Sequence, residues 1–404
     1  MMKWLRRFIM VLLVAIVGLN IYLAMTGKWY FYTALSKTYL IGQKGPGIYD
    51  LDLFPYRTIQ HDVSSYTLTE SELNYQLSAD DEQFLADWKT TSFLVMRNDT
   101  ILFEKYWDNH TVNTVSNTFS TAKSMVGLLI GIAIDEGYIG SLDESASRYI
   151  PEFNTDELKP ITIRHLLTMS PGLDWHESGG NPFSDNAEAY YGKSLNAKVV
   201  QQKPIRKPGE YFQYISSSTQ LLTMILETAT SETLSSYFES KIWSKIGTES
   251  DAYWSLDKEG GVEKGYCCLY ATTRDFAKIG LLINQQGNWG GEQIIPTWYM
   301  QETFTPAPIK TLSENPNQRY GLHWWLVPTE EDTVKYARGI QGQYIAVIPS
   351  KNLTIVRTGH ARTPDYDTTP DNVDEFPNII RPQVGHPPDL FVYLRMALKL
   401  SQTH

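Results

Sequence analysis

The chain has 404 residues, 42% hydrophobic and 13% aromatic, a globular composition with enough apolar material for a sizeable core. Its formal net charge is −10 and the sequence shows no concentrated basic face, which excludes nucleic acid as an expected partner. The two cysteines, Cys267 and Cys268, are adjacent, a spacing that rarely closes a ring, so neither a disulfide nor a zinc site is expected.

At the N-terminus, Lys3, Arg6 and Arg7 precede an apolar run from Phe8 to Met25. Its 18 residues fall within the ~17 to 25 that cross a bilayer, and the positive flank would keep the start inside and send the rest outward. A cleaved signal is the rival reading, but no A-x-A-like site stands near Ala24, and without a following cysteine a lipoprotein anchor is excluded. Residues 1–30 are therefore read as a membrane anchor or signal, with the bulk of the chain working outside the cytoplasm. Residues 31–80, rich in Gly, Pro and Asp around "GQKGPGIYDLDLFP", read as an irregular lead-in rather than a core element.

From Ser92, "SFLVMRNDTILFEKYW" reads as a hairpin turning at Arg97, Asn98 and Asp99, and "YIAVIPSKNLTIVRTG" repeats the form with Tyr344–Ile348 and Leu353–Arg357. Helical patterns lie between them at Met125–Glu136, Ile163–Met169, Gln220–Thr230 and Arg274–Gln285, and Leu390–Leu400 is apolar at helical spacing. This order predicts an α+β sandwich. One antiparallel sheet is built from N- and C-terminal strands and packed by helices, with a mostly helical insertion, as one domain over 81–404.

Ser120 and Lys123 form an S-x-x-K pair opening a helix too apolar for a surface position, with Ser116 or Thr118 as candidate caps. One turn apart, the two side chains share a face. A buried lysine loses its proton more readily and becomes a base for a nearby hydroxyl. The spacing alone does not separate this from a capping serine and a snorkelling lysine. Ser255 and Lys258 repeat it with no apolar helix behind, and are set aside. Tyr214 and Ser216 stand two residues apart before the next helix, able to enter one cleft or to serve as core and cap. Gly339 and Gly342 precede an edge-like late strand, where glycine often marks close backbone approach.

The order S-x-x-K, Y-x-S and a Gly-rich strand resembles the serine β-lactamase and penicillin-binding-protein superfamily. The class C-like branch, with its esterases and 6-aminohexanoate-dimer hydrolases, is the closest in form. Flanking text such as "GLLIGIAIDEGYIGSLDESASRYIPEF", "ITIRHLLTMSPGLDW" and "YATTRDFAKIGLLINQQGNW" agrees. The resemblance implies that Ser120 is a nucleophile, Lys123 its base and Tyr214 the proton carrier to the leaving group. It gives Ser216 a supporting place and makes the backbone N–H groups of Ser120 and Ile340 the oxyanion hole.

The usual Lys-Thr-Gly of β-lactamases is replaced here by Ala337-Arg338-Gly339-Ile340, which argues against efficient β-lactam turnover, although Arg338 could supply a cation beside Gly339. Ser184-Asp185-Asn186 resembles the second motif of class A β-lactamases but is read as a coincidence in a loop, whose Tyr190 and Tyr191 wall a substrate pocket. His165 is expected to be satisfied within its helix and His323 to line pocket or core. No metal or cofactor is called for. The resulting expectation is a membrane-anchored serine hydrolase facing outward that cleaves a small amide or ester. A β-lactamase or D-Ala-D-Ala carboxypeptidase, and a non-catalytic cell-wall-binding protein of the same fold, are the alternatives.

Overall fold

The computed structural model describes residues 2–62, 66–73, 75–365 and 383–402. At its centre is a seven-stranded sheet, and both hairpins read from the sequence belong to it. In spatial order the strands are Trp325–Pro328, Thr333–Gly339, Gln343–Ile348, Leu353–Gly359, Thr90–Arg97, Thr100–Tyr106 and Thr69–Glu70. All neighbours run antiparallel except the last pair. The two ends of the domain meet where Leu353–Gly359 pairs with Thr90–Arg97. Asn98 and Asn352 turn the hairpins in left-handed conformation, φ 52° at each, a geometry asparagine tolerates.

Side-chain alternation along these strands feeds two cores. Phe93, Val95, Tyr344, Ala346 and Ile355 face the C-terminal helix Pro388–Gln402, so the expected packing of Leu390–Leu400 across the sheet is observed. Leu94, Met96, Ile345, Val347 and Val356 face the larger helical core. Helix Thr273–Asn284 lies on that face, capped by Thr272, whose side chain accepts from Asp275 N–H. Beyond it, helices Ala122–Asp135 and Ser216–Thr230 pack together.

Every residue of the first of these from Ala122 to Ala133 is buried. Gly131 lets the Tyr299 ring lie on its backbone, since a Cβ there would stand 2.1 Å from that ring. A second sheet, Tyr56–Ile59, Ala252–Ser255, Leu269–Ala271 and Ser116–Asn117 in that order, ends beside the start of the same helix.

Three sequence expectations are corrected here. The stretch read as an irregular lead-in carries most of a helix, Tyr30–Ser36, buries Ile48, and places Ala34, Phe54 and Ile59 in the main core. Its polar punctuation hid apolar residues spaced too irregularly to show a period. Cys267 and Cys268 are joined as a disulfide, and the chain turns at Cys268 with φ 68°, a reversal invisible in residue type alone. Ser184-Asp185-Asn186 lies at a helix start rather than in a loop. Ser184 caps Asp185–Tyr191 by accepting from Ala187 N–H.

The N-terminal helix Met2–Thr26 is long and apolar enough to cross a membrane, and Leu23 is its one buried residue.

Candidate active site

Ser120 sits in a single 3-10 turn, Phe119–Thr121, that runs into helix Ala122–Asp135. The turn is held from the side. Phe119 has φ 48°, and its N–H donates to Asn117 Oδ1 at 2.8 Å. The expected caps are not made: Thr118 donates its hydroxyl to Leu269 O instead, which ties the turn to the second sheet.

Lys123, one helical turn on, is 1% exposed. Its Nζ donates to Ser120 Oγ at 2.9 Å and to Tyr266 O at 2.8 Å. Burial lowers its pKa to about 8, and the Glu177 carboxylate pulls in the opposite direction. An amine that gives up its proton near neutrality, in contact with a hydroxyl, can activate that hydroxyl.

Tyr214 comes from the loop before helix Ser216–Thr230, its ring packed against Trp325 and Tyr320. Lys123 Nζ lies 5.2 Å from the ring centroid. Burial pushes the Tyr214 phenol well above its ordinary pKa, while its hydrogen bond with Ser120 and the charges of Arg338 and Arg362 act the other way. The phenol is therefore a proton donor at neutral pH.

Ser216 opens its helix four residues earlier than the sequence suggested, because its cap is remote. Glu177 Oε2 accepts from Ser216 N–H at 2.8 Å, and Glu177 Oε1 accepts from Ser216 Oγ at 2.7 Å. Trp175 Nε1 donates to the same carboxylate at 3.0 Å. Glu177 thus fixes Ser216 and bears electrostatically on Lys123, yet nothing in its local sequence marks it. Tyr266, whose carbonyl anchors the lysine, is the second residue that sequence reasoning missed.

These groups meet at a cavity of about 310 Å³. Ser120, Ser216, Ile340, Tyr190 and Tyr191 all line it, as do Glu177, Tyr266 and Cys267. Lys123 and Tyr214 reach Ser120 from behind this wall. Gly339 places its strand against the Ser120 turn: a Cβ there would lie 2.1 Å from Thr118 O. Ile340 follows it directly and lines the cavity, whereas Gly339 does not.

Arg338, expected at the substrate, is also off the wall. Its guanidinium lies 3.8 Å over the Trp325 ring, and Nη1 donates to Asp365 at 3.1 Å. An arginine so engaged is not a free cation for a substrate carboxylate.

The other candidates separate from the site. Ser255 ends a strand while Lys258 is exposed beyond it. His165 accepts from Thr162 N–H in its own helix cap, and His323 is buried between Leu167 O and Thr219 Oγ1. Among the described residues no cluster of His, Cys, Asp and Glu is suited to a metal.

The family model for Beta-lactamase matches residues 82–375, more than half of the chain. The 6-aminohexanoate-dimer hydrolase of Paenarthrobacter ureafaciens is 25% identical over 310 residues, covering 71% of this chain and 76% of that protein. Among solved structures, a candidate 6-aminohexanoate-dimer hydrolase from Bacillus anthracis superposes with a TM-score of 0.71 at 20% identity, covering 88% of this chain and 92% of that one. A family VIII carboxylesterase superposes with a TM-score of 0.57 at 17% identity, over 81% of this chain and 100% of its own.

Proposed function

The chain belongs to the Beta-lactamase family, and we propose that within it this protein is a serine hydrolase cleaving an amide or ester through an acyl-Ser120 intermediate. The observation that carries the reading is the buried Lys123, with a pKa of about 8 and its Nζ 2.9 Å from Ser120 Oγ, at the wall of a substrate-sized cavity.

Neutral Lys123 takes the Ser120 proton as Oγ bonds to the substrate carbonyl carbon. The backbone N–H groups of Ser120 and Ile340 hold the oxyanion, each donor worth about 10²- to 10³-fold in rate. Tyr214, a phenol at neutral pH, gives its own proton to the departing oxygen or nitrogen as the bond to it breaks, and the proton taken up by Lys123 restores the phenol. Water then repeats the sequence in reverse roles and frees the acid and Ser120. Ser216, fixed by Glu177, supports the site from the cavity wall, and Tyr190 and Tyr191 shape the pocket.

The amide and ester relatives support this substrate class over β-lactams, and the engagement of Arg338 with Asp365 and Trp325 weighs in the same direction. The hydrolase domain over 81–404 would be carried outside the cytoplasm on helix Met2–Thr26, with Lys3, Arg6 and Arg7 retained inside.

A panel of small esters, amides and β-lactams, run with Ser120→Ala as control, tests the proposal. Turnover of an ester or amide that the control loses supports it. Turnover that survives the substitution removes Ser120 from the mechanism. Fragment binding without any turnover would favour a non-catalytic cell-wall-binding protein.

A further inference from the structure

One part of the cavity wall is built by the stretch that follows the N-terminal helix. Phe31, Ala34, Leu35 and Tyr39 line the cavity, with Lys44 and Pro46 further along. This stretch is tied to the site itself: Gln341 Nε2 donates to Pro46 O at 2.7 Å, and Asn117 N–H donates to Ile48 O at 2.8 Å. Gln341 follows Ile340, and Asn117 holds the Ser120 turn.

The same wall is joined to the end of the apolar helix. The Phe183 ring stacks on Phe31 at 5.3 Å and meets Tyr22 edge-on at 5.6 Å. Lys28 Nζ donates to Phe183 O at 2.8 Å, and Tyr30 Oη donates to Pro182 O at 3.1 Å. Pro182 lines the cavity as well. The run Phe8–Met25 rises about 27 Å as a helix, close to the ~30 Å of a bilayer core, which puts Tyr22 at the outer interface. Two aromatic rings then separate that interface from the cavity.

The outward side of the stretch fits such a setting. Trp29, Tyr32, Leu40 and Ile41 are exposed, Leu40 to 74%. Aromatic residues concentrate where headgroups meet hydrocarbon, and exposed apolar patches mark interaction surfaces.

We infer that this surface rests on the outer face of the bilayer and that the site draws from it an amphiphilic ester or amide, whose aliphatic chain lies along Phe31, Leu35 and Tyr39 while its carbonyl reaches Ser120. The inference rests on the hydrolase reading and on the N-terminal helix remaining in the membrane. The chemistry is unchanged: Ser120 Oγ displaces the headgroup oxygen or nitrogen, which leaves with the proton, and water releases the long-chain acid.

The test uses the full chain in vesicles of phosphatidylcholine and phosphatidylglycerol, with kcat/KM measured for p-nitrophenyl butyrate and p-nitrophenyl dodecanoate. The expected preference for dodecanoate is at least about tenfold, the factor that two further buried methylene groups provide. Leu35→Asp should remove that preference from within the cavity, and Leu40→Asp should reduce it from the exposed surface, where folding is not at risk. Labelling of each variant by a fluorophosphonate verifies that the site is formed.

Ser120-dependent butyrate turnover without a dodecanoate preference, or a preference unmoved by both substitutions, overturns the inference and leaves the hydrolase reading intact. Absence of turnover on both esters, with no label on Ser120, overturns both.

Discussion

Replacing Glu177 by Gln removes one negative charge from the cavity wall while leaving an amide of the same shape beside Ser216. Lys123 has a pKa of about 8, so roughly one molecule in eleven carries the neutral amine at pH 7 and about ten in eleven at pH 9. Acylation by the parent should therefore rise about tenfold over that interval, since the neutral amine is the base. Glu177 is the group that opposes the effect of burial on Lys123.

Without that charge the pKa falls further and the acid limb of the profile moves to lower pH. Each unit of displacement raises the neutral fraction at pH 7 by up to about fivefold. The plateau should fall, because Ser216 loses charge-assisted acceptors at 2.7 and 2.8 Å. The assay is the burst of p-nitrophenol from an acetate ester, followed between about pH 6 and 10 for both proteins. A limb that stays in place, or that moves upward, would show that Lys123 is not the titrating base.

Lys123→Met should abolish acylation and yet raise stability at pH 7. The folded pKa, about 8, lies below the unfolded value of 10.5, so the cost of burying the charge is full below pH 8 and fades as pH rises from 8 to 10.5. That cost is on the order of 3 kcal/mol, and urea unfolding at pH 7 and pH 10 should show the gain from the substitution shrinking at the higher pH. Tyr214→Phe keeps the ring against Trp325 and removes only the hydroxyl, so turnover of an amide should drop about 10²- to 10⁴-fold with little change in melting temperature. Gly339→Ala would drive a methyl group to 2.1 Å from the Thr118 carbonyl, a backbone atom that cannot step aside. A loss of about 1 to 3 kcal/mol, with lower activity as the strand shifts from the Ser120 turn, is the expected result in paired unfolding and rate measurements.

The four central strands of the sheet were legible because they are local signals, β-rich runs around turn residues that sit near each other in sequence, whereas Trp325–Pro328, Thr333–Gly339 and Thr69–Glu70 were not read as strands. Joining Thr90–Arg97 to Leu353–Gly359 needed only the order of the elements. Ser120, Lys123 and Tyr214 were legible as a set, by order and resemblance rather than by any single spacing. Glu177 was not, because its carboxylate caps a helix 39 residues further on, a contact no local rule describes. The cavity wall that follows the N-terminal helix was missed for a related reason. Phe31, Leu35 and Tyr39 read as scattered apolar residues among turn formers until folding stacks Phe31 on Phe183 and lays the segment across the cavity. The role expected of Arg338 failed on competition, since Asp365 and the Trp325 ring already hold its guanidinium.

The central claim is a covalent acyl-Ser120, and it can be weighed directly. The full chain is quenched with acid during turnover of a p-nitrophenyl ester, digested, and its peptides examined by mass spectrometry. The acyl mass should appear on the peptide containing Ser120 and be absent from Ser120→Ala. An acyl group on any other residue, or undiminished turnover in Ser120→Ala, would contradict it.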